Sequence, residues 1–203
     1  MILTIVAITC LVSIMAFYNP ELLGKLQFNA YAIKHRKQGY RFFTYAFVHG
    51  GWGHLAINMF VLWSFGRIVY GLYLYLFGNL GILYFLLLYI GGIMFSVLFD
   101  FGRHKDNEWY NAVGASGAVS AVVFASIILY PQGGVYLFFI PLEIPSPIFG
   151  ILYLVYSAYM AKRGRDNIGH DAHFWGAIYG VILTIVLKPS LFIRFLEELT
   201  NYF

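Results

Sequence analysis

Six apolar stretches, each parted from the next by a short polar or charged interval, leave this chain few folds to choose from. About 20 apolar residues cross a hydrocarbon core roughly 30 Å thick. Backbone polar groups inside that core must be satisfied by the chain itself, which a helix does. The stretches cover residues 2–18, 54–70, 80–99, 116–130, 148–161 and 173–187. They predict an all-α membrane protein, a single domain over 1–203 built as a bundle of six transmembrane helices. Composition agrees, with 61% hydrophobic and 11% charged residues, against roughly 45–50% and about 25% in soluble domains. The first stretch lacks a charged side chain before it and a small-residue cleavage site after it, so it reads as a retained span. The lone Cys10 excludes an intramolecular disulfide and reads as a packing residue. The net charge of +4 is modest, and its basic residues flank the apolar runs. That placement suits membrane lipids and argues against a nucleic-acid partner.

Two segments are expected to lie along the membrane rather than cross it. Val135 to Ile144 is apolar but interrupted by Pro141 and Pro145, which suggests an interfacial loop. Ser190 to Phe203 alternates as an amphipathic interfacial helix would. The cluster Lys34-His35-Arg36-Lys37 is read as solvated or facing headgroups.

Polar residues stand at the mouths of three stretches: His54 and Asn58 at the second, Ser116 at the fourth, His173 at the sixth. A polar side chain in hydrocarbon is costly without partners, which makes each a functional candidate. In an antiparallel serpentine the even-numbered spans all enter from one side, so these residues face one compartment. The fourth and sixth stretches have 15 residues each, or about 22 Å of helix. If their far ends reach the opposite interface, Ser116 and His173 start roughly 8 Å below the surface.

A serine hydroxyl is a weak nucleophile until a base takes its proton, and His173 is the natural base. Only helix packing joins the two. Gly176 and Gly180 form one small-residue face; Gly117, Ala121 and Ala125 form another. Such faces allow close approach of backbones. His54 and Asn58, four apart, share a helix face. Together with the Ser116 N–H they are candidate donors to an oxyanion. Asp171 is two positions from His173 and off its face, so the pattern points to a dyad rather than a triad. Ala118 breaks the G-x-S-x-G elbow of soluble hydrolases.

Gly114-Ala115-Ser116-Gly117, His54-xxx-Asn58, Arg41-Phe42-Phe43-Thr44 followed by His49, and Ala172-His173-xx-Gly176-xxx-Gly180 together resemble the rhomboid intramembrane serine proteases. The similarity runs through all six stretches in order. It implies a rhomboid-like bundle, a Ser116–His173 catalytic dyad, and oxyanion stabilisation by His54 and Asn58. It also implies cleavage of transmembrane protein substrates near the top of their helices, no cofactor, and no metal. Three positions depart from the family pattern: Ser120 stands where many members carry an aromatic stacked on the histidine, Tyr40 where a tryptophan is common, and Tyr70 where an acid is common.

Ser120, Ser126 and Ser157 read as packing residues, His49 as a structural hydrogen-bonding group near the site, and His170 and Asp171 as loop residues. The fifth span, with its proline-rich approach from Pro141 to Pro147, is a candidate moving element. Two other function classes compete: a zinc or iron site from His49, His54, His170, Asp171 and His173, and a non-cleaving rhomboid-like client binder. The six-span bacterial type implies the bacterial inner (plasma) membrane, with the site opening outward and both termini inside. The positive-inside rule points the other way, because ten Lys and Arg flank the site side and three the opposite side.

Overall fold

Asparagines set where the first polar interval turns into helix. After α1 (Ile2–Phe17), the Asn19 side chain accepts the Leu22 N–H at 3.0 Å, and Pro20 fills the first position of α2 (Pro20–Leu26). Asn29 repeats the device for α3 (Ala30–His35), accepting the Ala32 N–H at 2.7 Å. The computed structural model describes residues 1–136, 142–163 and 169–200.

The interval between α1 and the next long helix is a folded element. Arg41, in the short α4 (Arg41–Thr44), is buried. It donates to the carbonyls of Gly24 and Gln27 at 2.8 and 2.7 Å and to the Gln38 side chain at 2.6 Å. A buried guanidinium requires such partners. Phe28 exchanges backbone hydrogen bonds with Ala112 at 2.9 and 3.1 Å. This ties the first interval to the loop that leads into Ser116. Lys34 and His35 both reach Asp106, so this part of the basic cluster is paired.

Helix α5 (Trp52–Phe77) starts two residues before the expected window and ends seven after it. The turn past Tyr70 stays helical because Tyr73 has buried positions to fill; Gly78, at φ +56°, then ends it. Helix α6 (Leu80–His104) likewise passes its window through the charged residues Asp100 and Arg103. Asp100 stays inside because the Tyr110 hydroxyl donates to it at 2.9 Å.

Helix α7 (Ser116–Leu129) is the axis of the molecule. Every residue after Ser116 is buried, with α5, α6, α8 (Ser146–Arg163), α9 (His170–Leu187) and α10 (Ser190–Thr200) packed around it. Such all-round burial explains its uniform apolarity. The segment before α8 was expected as an interfacial loop. Its described part instead forms a two-stranded antiparallel hairpin, Gly134–Tyr136 with Glu143–Pro145, in which Val135 faces Ile144. Pro141 lies outside the described residues.

Among the described residues three helices, α5, α6 and α9, are long and apolar enough to cross a membrane. Helices α1 and α7 are apolar but shorter. The fold is therefore a helical bundle with membrane-spanning elements. In the amphipathic α10, Leu191 is buried and Phe195 packs on the core, while Glu197 is exposed.

Candidate active site

The N-terminal ends of α5, α7 and α9 meet at one end of the bundle. Gly114 makes the first approach. Its φ of +109° is open to glycine at little cost. A Cβ there would come within 2.6 Å of His54 Cε1 and 2.8 Å of His54 Nε2. His54 stands on the first turn of α5, where its Nδ1 accepts the Gly50 N–H at 3.4 Å. With Nδ1 accepting, the neutral ring carries its proton on Nε2, the atom nearer Gly114. One turn on, the buried Asn58 donates to the His54 carbonyl at 2.8 Å. Its amide has a second hydrogen.

His49 holds the same loop from the other side. Its Nε2 accepts the Ala115 N–H at 3.4 Å, and its Nδ1 lies 2.9 Å from Ser13 Oγ. Ser13 gives its single proton to the Phe47 carbonyl at 2.8 Å, so His49 donates through Nδ1. Burial, and secondarily the nearby His54, pushes the His49 imidazole down to about 3. It stays neutral at physiological pH and fixes the residue directly before Ser116.

The side of α7 toward α9 is set by absent side chains. A Cβ on Gly176 would run into the Gly117 carbonyl, and one on Gly180 into the Ala121 carbonyl. A Cβ on Gly117 would strike Ser96 of α6 and lie 3.1 Å from the Ala172 carbonyl. Gly117 directly follows Ser116, and Ala172 directly precedes His173. Both Ser116 and His173 are half-buried.

Helix α9 begins at His170, three residues before the expected window, so His170 and Asp171 are helical rather than loop residues. His173 consequently sits on the first turn, behind them. His170 is buried, with its ring 5.9 Å from that of His173 and 5.6 Å from that of Tyr156. Asp171 pairs with Arg103 at 2.7 Å. Its charge is thus directed to α6. Among the described residues no three His, Cys, Asp or Glu side chains are gathered as metal ligands would be.

The sequence reading missed Tyr153. This α8 residue lies 2.7 Å from Ser120 Oγ through its hydroxyl, and its ring centroid is 6.3 Å from that of His173. The absence of an aromatic at position 120 was a signal to look elsewhere for one. Helix α8 offers Phe149, Tyr153, Tyr156 and Tyr159, and the sequence does not say which faces inward.

The Rhomboid domain family model matches residues 36–190. The chain belongs to the rhomboid family. It is 32% identical over 165 residues to RHOMBOID-like protein 12, mitochondrial, of Arabidopsis thaliana, covering 73% of this chain and 46% of that protein. It is 26% identical over 145 residues to the human Presenilin-associated rhomboid-like protein, mitochondrial, covering 66% and 34%. It is 27% identical over 169 residues to Rhomboid-like protein 11, chloroplastic, of Arabidopsis thaliana, covering 73% and 52%. The chain thus spans about a third to a half of the length of these relatives. Their names overturn the expectation of a bacterial inner membrane, because these rhomboid relatives are mitochondrial or chloroplastic.

Proposed function

We propose that this rhomboid is an intramembrane serine endopeptidase of an organellar membrane, acting on transmembrane protein substrates through a Ser116–His173 dyad. In this reading the six helices α1, α5, α6, α7, α8 and α9 all cross the membrane. One observation carries it: the neighbours of the two residues, Gly117 and Ala172, pack against each other, while His54 lies against the Gly114 turn.

His173 takes the proton from Ser116 Oγ, and the oxygen attacks the scissile carbonyl. The oxyanion that forms accepts hydrogen bonds from His54 Nε2–H, from the second amide hydrogen of Asn58 and from the Ser116 N–H. His173 then gives its proton to the leaving amine, and water repeats the sequence on the acyl-enzyme. No cofactor or metal enters the scheme.

The test is covalent labelling in membranes with a fluorophosphonate probe, paired with cleavage of a transmembrane substrate. Wild type labels and cuts. Ser116→Ala does neither, and His173→Ala loses activity by at least about 10³-fold. Removing Asn58 as Asn58→Ala costs about 10²-fold. Full cleavage by folded Ser116→Ala, or a folded wild type that never labels, overturns the proposal. The second outcome would favour a non-cleaving client binder.

A further inference from the structure

We propose that Tyr153 is a positioning residue for both members of the Ser116–His173 pair, an inference that rests on the protease reading above. Its contacts reach each of them. Ser120 Oγ donates its one proton to the Ser116 carbonyl at 2.8 Å. The 2.7 Å contact between Ser120 and Tyr153 is therefore donated by the tyrosine. A chain of two hydrogen bonds thus runs from α8 to the backbone of the residue proposed as nucleophile.

The ring does separate work. Phe124 of α7 and Phe149 of α8 flank it at centroid distances of 5.5 and 5.8 Å. Held there, it faces the His173 imidazole at 6.3 Å and 32°. A wall on that side limits rotation of the imidazole and keeps water from its face. Ser120 thus has a use that its small size suggests: it leaves room for a ring delivered from α8 and bonds its hydroxyl. Tyr153 touches no reacting atom in this scheme. It acts through the two side chains that do.

The test measures kcat and KM on a transmembrane substrate, the rate of fluorophosphonate labelling, and melting temperature in detergent. Tyr153→Ala lowers kcat and labelling by about 30–100-fold with KM within about 2-fold, the signature of a misplaced catalytic group. Tyr153→Phe, which keeps the ring, loses only about 3–10-fold, and so does Ser120→Ala. The Ser120→Ala, Tyr153→Phe double variant is no worse than either single one, because both remove one hydrogen-bond chain. Adding Ser120→Phe to Tyr153→Ala puts a ring back from the α7 side and restores kcat by about 10-fold.

Two results would overturn the proposal. One is wild-type kcat in Tyr153→Leu, which keeps bulk without ring or hydroxyl. The other is a loss in Tyr153→Ala that appears in KM or melting temperature alone. A folded wild type that does not label removes the protease reading and this proposal with it.

Discussion

The two flanks of α7 are built to different tolerances. Toward α9 the contact is backbone on backbone: Gly176 lies on the Gly117 carbonyl and Gly180 on that of Ala121. Toward α8 it is made by the ends of side chains. A Cβ on Gly150 would meet Ile127 Cδ1 at 3.2 Å and Phe124 Cε1 at 3.5 Å, and the remaining fit comes from the rings around Tyr153. A backbone cannot yield without moving a helix, whereas a methyl group can swing. The rigid flank is the one that carries Ser116 and His173 on its opposing helices. The softer flank supplies an aromatic support. Reacting groups must be placed to within a fraction of an ångström, and only the first kind of contact does that unaided.

The largest effect is expected at the rigid flank. Gly176→Ala sets a methyl group where the Gly117 carbonyl lies, and α7 and α9 must part. Overpacking a well-filled core costs about 1–3 kcal/mol, and the upper end applies where the obstacle is backbone. Melting temperature should fall by roughly 6–12 °C for a chain of this size. Labelling of Ser116 should fall by more than about 100-fold, because the helix shift separates it from His173, the base proposed above. Gly180→Ala should behave alike one turn further along. A Gly176→Ala protein that melts and labels as wild type does would erase the contrast.

A smaller effect is expected where hydrogen bonds, not packing, fix the start of α7. The native state leaves His49 unprotonated down to about 3, whereas an unfolded chain protonates histidine near 6.5. Between those values the unfolded state binds more protons, so stability rises with pH across the window. The contribution of His49 is full above about pH 6.5 and is lost progressively as pH falls toward 3. At pH 4.5, two pH units below the unfolded value, the loss is about 2.7 kcal/mol. His49→Gln keeps a donor and an acceptor but does not titrate in this range. Its melting temperature should therefore fall less than that of wild type between pH 7.5 and 4.5, by roughly 5–11 °C. Equal acid sensitivity in the two proteins would remove His49 as its source.

What could be read from the sequence follows the same division. Long apolar runs force helices in a membrane, so the helical class and the family were legible from hydropathy and from four motifs in order. Helix ends were not. Tyr73, Asp100 and His170 lie beyond the expected windows and stay in helices because tertiary partners bury them. A four-residue spacing of small residues is written in the chain, but which carbonyl each glycine meets is not. His49 illustrates the limit: its neighbourhood to the site was readable, its bonds to Ala115 and Ser13 were not. The hairpin was hidden because prolines mark an interruption without saying that Gly134–Tyr136 and Glu143–Pro145 pair across it. Tyr153 was hidden for a related reason. Aromatics at 149, 153, 156 and 159 share one stripe of the helix, but the sequence does not say whether that stripe faces protein or lipid, nor which ring reaches the site.

The smallest effect should come from the same change made on the softer flank. In Gly150→Ala the new methyl meets Ile127 Cδ1 at 3.2 Å, a contact that a small rotation of the isoleucine relieves. Against that cost stands the gain from replacing a helix-interior glycine by alanine, up to about 1 kcal/mol. The two nearly cancel, so melting temperature should stay within about 2 °C of wild type and Ser116 labelling within about 2-fold. Gly150→Ala and Gly176→Ala add the same atom to two helices that meet α7 through different kinds of contact. If both prove equally damaging, α8 is seated as tightly as α9, and Tyr153 is then held by its helix rather than by its hydroxyl and the rings beside it.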